Sequence, residues 1–301
     1  MNCVRYSEFM LSVLIPVFNE EDAIEETIRR THAVLERAGD AFEICVIDDG
    51  STDRTGEILK NLNLGSIRIF TNQKNHGYSS SIKKGIRHSK GEIIGITDGD
   101  GTYPVEEFPR LMTSLKENQA DMVVGARIRN GAQFAAMRKP AKWIVNVLAS
   151  ILTGIKIPDP NSGMRVFTRD LVQQFMHLYP QRFSFTITIT LAALSNDYIV
   201  IYEPIDYFRR KGKSTLSSGM NGIRNFVGFL GLIVRIITYF RPLKFFAWPS
   251  ILLCFAGVIV IIIRYFTIET ISSRGLLLLL TGLQVGLFGL LADVVVRHQN
   301  N

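Results

Sequence analysis

Short apolar runs alternate with amphipathic stretches through the first half of the chain, the pattern of a mostly parallel sheet covered by helices. The runs Ser12–Pro16, Glu43–Ile47, Ile67–Thr71, Ile93–Thr97 and Met122–Gly125 read as strands. Between them, Glu21–Glu36, Thr55–Asn61, Ser80–His88 and Val105–Glu117 read as helices. Asn19 followed by Glu20, Glu21 and Asp22 makes a helix start whose acids complement the dipole. Two later stretches, Ala141–Ile155 and Asn225–Tyr239, have apolar residues at helical spacing and suit helices lying on a membrane surface. For the first, an ordinary amphipathic helix on the sheet is the alternative; for the second, a buried helix packed on the preceding domain.

The pattern changes at the C-terminus. No charged residue occurs from Phe245 to Ile263, nor from Gly275 to Ala292, and each run with its flanks approaches the ~20 residues that span a bilayer. Two transmembrane helices are expected. Trp248 and Tyr265 near the ends and Arg264, Arg274 and Arg297 at the flanks favour lipid over a buried hairpin in a soluble core. This divides the chain into a domain over 1–220, an interfacial helix and linker over 221–244, and a two-helix anchor over 245–301. These spans explain why 47% of the 301 residues are hydrophobic.

Nearly all Lys and Arg precede the first span, and Thr267–Ser273 carries only Glu269, so the N-terminal domain and both termini are expected to be cytoplasmic. Met1–Met10 holds Arg5 and Glu8 and lacks the apolar core of a cleavable signal. The net charge of +7, with basic groups at Arg138–Lys142, Arg209–Lys213 and Arg241–Lys244, suits anionic lipid headgroups. No motif points to nucleic acid. Cys3, Cys45 and Cys254 are an odd set without CxxC spacing, which argues against a disulfide framework or a zinc site. Gly282, Gly286 and Gly289 permit close helix contact and leave a homo-oligomer open.

The chemistry lies in two acidic clusters, Asp48-Asp49-Gly50-Ser51-Thr52-Asp53 and Asp98-Gly99-Asp100, each just past a predicted strand. In an open α/β sheet the carboxyl ends of the strands form the ligand crevice, where carboxylates two residues apart can share Mg²⁺ or Mn²⁺ and the nucleotide it accompanies. Asp98 and Asp100 have no nearby Lys or Arg in sequence and would repel without a cation between them. For Asp48 and Asp53, turn and cap chemistry is an equal account.

Taken with Ser12-Val13-Leu14-Ile15-Pro16-Val17-Phe18-Asn19-Glu20, these clusters make the chain resemble the family 2 glycosyltransferases of the GT-A fold. Ser162-Gly163-Met164-Arg165, Arg209-Arg210-Lys211-Gly212-Lys213-Ser214 and the terminal pair of spans are similar to the polyprenyl-phosphate branch, the dolichyl-phosphate mannose or glucose synthase group. The resemblance implies a Rossmann-like domain that transfers a hexose from UDP or GDP to a polyprenyl phosphate, with Mg²⁺ or Mn²⁺ as cofactor and inversion at the anomeric carbon. It places Pro16, Phe18, Glu20, Ile47, Asp49, Asp98, Gly99, Asp100, Arg127, Arg209 and Lys213 around the nucleotide sugar. Asp98, Asp100 and Thr102 would lie at the metal, and Arg165 and Lys213 at the acceptor phosphate. Asp100, Arg127, Asp159 and Arg209 would serve the chemistry, Asp159 by orienting acceptor or sugar.

Each residue also has an ordinary account: Pro16 as a strand terminator, Glu20 as a first-turn helix charge, Arg127 as a surface arginine, Arg209–Lys213 as a solvated basic loop and Asp159 as a turn cap. Arg165 could instead pair with Asp159. Three positions depart from the family pattern: Thr102 in Asp-Gly-Asp-Gly-Thr, Thr215 where a lysine is usual, and Thr188 where many relatives carry Glu. A processive polysaccharide synthase would carry Gln-x-x-Arg-Trp, and neither Trp143 nor Trp248 has those neighbours. Transfer to a diacylglycerol-type hydroxyl would need a base, for which Asp159 is the candidate. A noncatalytic membrane scaffold is the remaining alternative.

Overall fold

A computed structural model of the chain describes residues 9–129, 157–180, 185–210, 231, 238, 242–268 and 272–299, which fall into two compact units. The surface helices expected over 141–155 and 225–239 lie outside these residues, apart from single positions, as does Lys213.

The first unit contains all five predicted strands: β1 (Leu11–Val17), β2 (Phe42–Asp48), β3 (Ile67–Thr71), β4 (Ile93–Ile96) and β5 (Met122–Ala126). Two strands that the pattern did not reveal, β6 (Arg165–Thr168) and β7 (Val200–Pro204), complete a seven-stranded sheet ordered β3-β2-β1-β4-β6-β5-β7. β6 runs antiparallel to both neighbours, and every other pair is parallel. The central strands read as continuous apolar runs because both faces are covered: every residue of β1 and β4 is buried.

On one face, Leu11, Val13 and Ile15 pack in a core with Ile24 and Ile28 of α1 (Ile24–Ala38) and Phe108, Leu111 and Leu115 of α4 (Phe108–Glu117). Two further helices intervene, α2 (Thr55–Asn61) and α3 (Tyr78–His88). Leu14 and Ile47, of opposite parity, meet α3 at Gly85, where an added Cβ would lie 2.9 Å from Ile47 Cδ1. The first unit also holds α5 (Arg169–Gln174) and α6 (Phe185–Ser195).

α1 starts later than Glu21. Asn19 adopts φ 56° and its Oδ1 accepts from Thr52 N at 2.8 Å, so Glu20–Ala23 form a turn before the helix; Ala23 N and Ile24 N both donate to Glu20 O. That left-handed asparagine ties the end of β1 to the loop after β2.

Cys45 is enclosed in β2, and burial, then the nearby Glu43 carboxylate, push its thiol up to about 12. It should resist iodoacetamide in the native protein at pH 8 and label fully only after denaturation, as read by peptide mass spectrometry.

The second unit is a helical hairpin of α7 (Pro242–Ile268) and α8 (Ser273–Gln299). Phe245–Thr267 and Ser273–Val296 are long and apolar enough to cross a membrane, with mean hydropathies of 2.6 and 2.1. Trp248, Leu252, Phe266 and Leu277 stand exposed along them, whereas the glycines face the other helix. A Cβ on Gly257 would lie 2.7 Å from Leu279 N, and one on Gly282 2.6 Å from Cys254 Sγ. Ser250 Oγ donates to Gly282 O at 2.8 Å. Gly282, Gly286 and Gly289, read in the sequence as permitting close helix contact, make that contact within the chain, since close packing of two antiparallel helices needs small residues on the shared face.

Candidate active site

The strand order reverses at β1, with β2 and β3 on one side and β4 on the other, which puts a crevice at the carboxyl ends of β1 and β4. Pairing between them stops at Leu14↔Ile96, while β1 continues beside β2 to Val17. Pro16 lies past the last β1–β4 pair, where its missing N–H removes no ladder bond on that side. Asp98, Gly99 and Asp100 follow β4 into this gap. Because β6 is antiparallel, Arg165 pairs with Ile96 and Val124, and the segment before it, 157–164, arrives at the same end of the sheet.

Asp100 Oδ1 accepts from Thr102 N at 3.1 Å and from Thr102 Oγ1 at 2.6 Å, which fixes the carboxylate and directs Oδ2 toward Arg210 Nε, 3.7 Å away. Thr102, expected at the metal, is buried with its hydroxyl engaged on Asp100; it orients the acid. Asp98 Oδ1 is enclosed without a hydrogen bond among the described residues. Burial, then the Asp100 charge, push the Asp98 carboxyl up, against Tyr78, Arg127 and Arg210, which hold it down. Gly163 leaves room for this group, since an added Cβ would lie 2.9 Å from both Asp98 oxygens, and its N–H donates to Tyr103 Oη at 2.7 Å. Glu20, far from being a mere first-turn charge, is ion-paired with Arg210; burial pushes its carboxyl up to about 8 despite the guanidinium, and Asp100, Asp98 and Asp53 add to the rise.

These acids fit a divalent cation. An orphaned carboxylate oxygen beside a second oriented carboxylate is a hard oxygen pair, and Mg²⁺ is commonly bound by one or two carboxylates plus substrate phosphates. Among the described residues no third acidic, His or Cys ligand converges there, so the remaining ligands would come from substrate and water.

Arg127 is held rather than free at the surface. Its Nε and Nη2 donate to Asp159 Oδ2 and Oδ1 at 2.7 and 2.9 Å, its backbone N–H donates to Oδ2 at 3.1 Å, and its guanidinium lies 5.1 Å from the Tyr207 ring centroid. Asp159 is fully buried with both oxygens engaged this way, so it positions Arg127. Arg165, expected at the acceptor phosphate, is fully buried and is no partner of Asp159 in these bonds: it donates to the Ser162 carbonyl, to Thr186 O and Thr190 Oγ1 at 3.0 Å each, and to Pro160 O at 3.5 Å. It braces the 160–162 turn against α6.

Several residues expected on the nucleotide side make bonds and contacts within the fold. Asp49 accepts from Asn72 Nδ2, His76 N and Gly77 N at 2.7, 3.0 and 2.7 Å, so it organises the 72–77 loop. Gly50, at φ 75°, lets Lys74 close on the same loop; a Cβ would lie 2.8 Å from Lys74 C. Asp48 and Asp53 make turn and cap bonds, to Ser51 N and to Glu21 N and Thr55 N. Ile47 is fully buried against α3, and Gly99 packs under β1, where a Cβ would meet Ile24 Cδ1 at 3.1 Å. Phe18 is half-buried at the crevice edge. Arg209 is exposed, and its neighbour Arg210 is the arginine the fold turns toward Glu20 and Asp100.

Comparison with known proteins decides the lineage: the family model "Glycosyl transferase family 2" matches residues 12–175, which carry β1 through α5 and the acids just described. The chain belongs to glycosyl transferase family 2. A second match, "GtrB C-terminal hairpin", covers residues 241–297. The glycosyltransferase is 30% identical over 94% of its length, and 68% of the relative's, to a low-salt glycan biosynthesis hexosyltransferase of Haloferax volcanii. It is 29% identical over 97% of its length, and 90% of the relative's, to the undecaprenyl-phosphate 4-deoxy-4-formamido-L-arabinose transferase of Edwardsiella ictaluri. Among solved structures, glucosyl-3-phosphoglycerate synthase from Mycobacterium tuberculosis, in complex with Mn²⁺, UDP and phosphoglyceric acid, superposes with TM-score 0.56 at 16% identity, over 75% of this chain and 78% of that one. S. aureus TarS with UDP-GlcNAc gives 0.55 at 20%, over 76% and 66%. These likenesses establish the GT-A fold.

Proposed function

We propose that this glycosyltransferase moves a hexose, with inversion, from a UDP- or GDP-sugar to a polyprenyl phosphate, dolichyl or undecaprenyl, at the cytoplasmic membrane face. The observation that carries the reading is the convergence at one strand-end crevice of the Asp98/Asp100 pair with Arg127 and Arg210, in a chain that ends in two apolar helices. The full-length relatedness to an undecaprenyl-phosphate sugar transferase supports the acceptor class. In this reading the domain borders lie near residues 220 and 245, both termini are cytoplasmic, and Lys213 lies near the phosphates.

Asp100 and Asp98 would hold Mg²⁺ or Mn²⁺, which when bound offsets the charge gathering on the departing diphosphate. Arg127, pinned by Asp159 and Tyr207, presents a fixed cation at the crevice that loses no side-chain freedom when an anion arrives. A phosphate acceptor, with a second pKa of ~6, is ionised near neutral pH and needs no strong base. That agrees with an Asp159 whose oxygens are both engaged by Arg127, and it disfavours a hydroxyl acceptor such as diacylglycerol.

Purified protein incubated with radiolabelled UDP- and GDP-sugars, Mn²⁺ or Mg²⁺ and undecaprenyl or dolichyl phosphate should yield a solvent-extractable, mild-acid-labile lipid. Donor hydrolysis without labelled lipid, or label on added diacylglycerol only, would remove the polyprenyl acceptor.

A further inference from the structure

Arg210 comes to the crevice at the end of a strap that the sequence pattern did not mark. Beyond β7, Ile205 N donates to Ala126 O at 2.8 Å and Phe208 N donates to Thr102 O at 2.9 Å, which carries the chain from β5 across to the loop that orients Asp100. Two residues past the second pin, Arg210 Nη2 donates to Glu20 Oε1 and its Nε lies 3.7 Å from Asp100 Oδ2. That Nε is enclosed and makes no hydrogen bond among the described residues. The three side chains are largely shielded, with exposures of 22% for Arg210, 12% for Glu20 and 11% for Asp100. Since Thr102 holds Oδ1, the oxygen beside Arg210 is the one through which Asp100 can take a metal.

One internal guanidinium therefore occupies the charge position that a divalent cation on Asp100 would fill. Both cations carry the same sign and face the same oxygen, so each weakens the other's hold. A nucleoside diphosphate changes this balance, because its oxygens accept the forked donors of an arginine in place of a carboxylate.

We infer that Arg210 is an exchangeable counter-ion: it offsets the charge at Glu20 and Asp100 until the donor's diphosphate draws its guanidinium away, and Asp100 Oδ2 takes the divalent cation only then. The inference rests on the nucleotide-sugar reading above. Arg210 is on these terms a positioning residue that makes metal and nucleotide binding mutually dependent, and such coupling is reciprocal. The enzyme would hold little metal by itself, and the cation would enter together with the donor.

The test is Mn²⁺ binding to the purified full-length protein, followed by electron paramagnetic resonance with and without UDP or GDP and corrected for Mn²⁺ held by free nucleotide. In the wild type, one of the two nucleotides should tighten Mn²⁺ by at least about tenfold, within the usual range for coupled sites. Arg210→Gln should bind Mn²⁺ alone at least about tenfold more tightly than the wild type, and the nucleotide effect should shrink by the same factor. Arg210→Lys retains the charge, so its binding of Mn²⁺ alone should stay closer to the wild type than that of Arg210→Gln. Unchanged or weaker Mn²⁺ binding by Arg210→Gln, with the nucleotide effect intact, overturns the exchange while sparing the donor reading; so does an Arg210→Lys variant as tight as Arg210→Gln. A wild type in which neither nucleotide affects Mn²⁺ overturns the donor reading and the exchange together.

Discussion

Asp100→Asn is expected to lower sugar transfer by at least about a hundredfold, the scale on which an electrostatic contact to developing charge matters, while leaving the melting temperature within a few degrees of the wild type. The asparagine oxygen can still accept both Thr102 bonds, so the local geometry survives. Lost is the negative charge on the atom facing Arg210, through which the acid would bind a cation. Initial rates over a Mn²⁺ series, with circular dichroism as the folding control, check both halves. Wild-type turnover in this variant would remove Asp100 from the metal site.

The second large effect is on stability. Asp159→Ala should cost about 3–5 kcal/mol, because it leaves the Arg127 guanidinium enclosed without its carboxylate. The pair is well shielded, with side-chain exposures of 11% for Arg127 and 0% for Asp159. Thermal melts should fall by roughly 6–20 °C for a domain of this size. If Asp159 instead oriented the acceptor from a solvent-facing position, the variant would lose turnover and keep its melting temperature. Melting and initial rate measured on one preparation therefore separate the two roles.

The contrast between these two acids shows what the chain disclosed before its fold was known. Asp98 and Asp100 were legible because strand-end position is encoded locally: Ile93–Ile96 is a short apolar run, and whatever follows such a run in an α/β sheet stands at the crevice. The bonds that Asp49 and Arg165 make inside the fold were not legible, because residue type and motif position do not say which atoms are already engaged. Asp49 meets partners 23 to 28 residues away, and Arg165 reaches Thr190, 25 residues on. Arg210 and Arg209 stand side by side, and only the strap pinned at Thr102 O decides which of them turns inward.

β6 and α6 escaped the pattern for different reasons. β6 is four residues long and ends a polar turn, too short for alternation to register. Phe185–Thr190 alternates like a strand, yet it forms α6, a helix buried on nearly all sides. Thr190 Oγ1 bonds to Thr186 O at 2.7 Å and Thr186 Oγ1 to Asn161 at 2.8 Å, so the threonines satisfy themselves within the helix and against the 160–162 turn. Tertiary burial overrides local preference there.

The hairpin has a consequence for traffic across the bilayer. α7 ends at Ile268 and α8 begins at Ser273, so only residues 269–272 lie between two helices locked by their glycines. Under the proposed topology the chain crosses and returns within that short turn. Between its two helices the hairpin gives the opposite compartment four residues, little surface on which a docking protein or a sugar headgroup could be recognised.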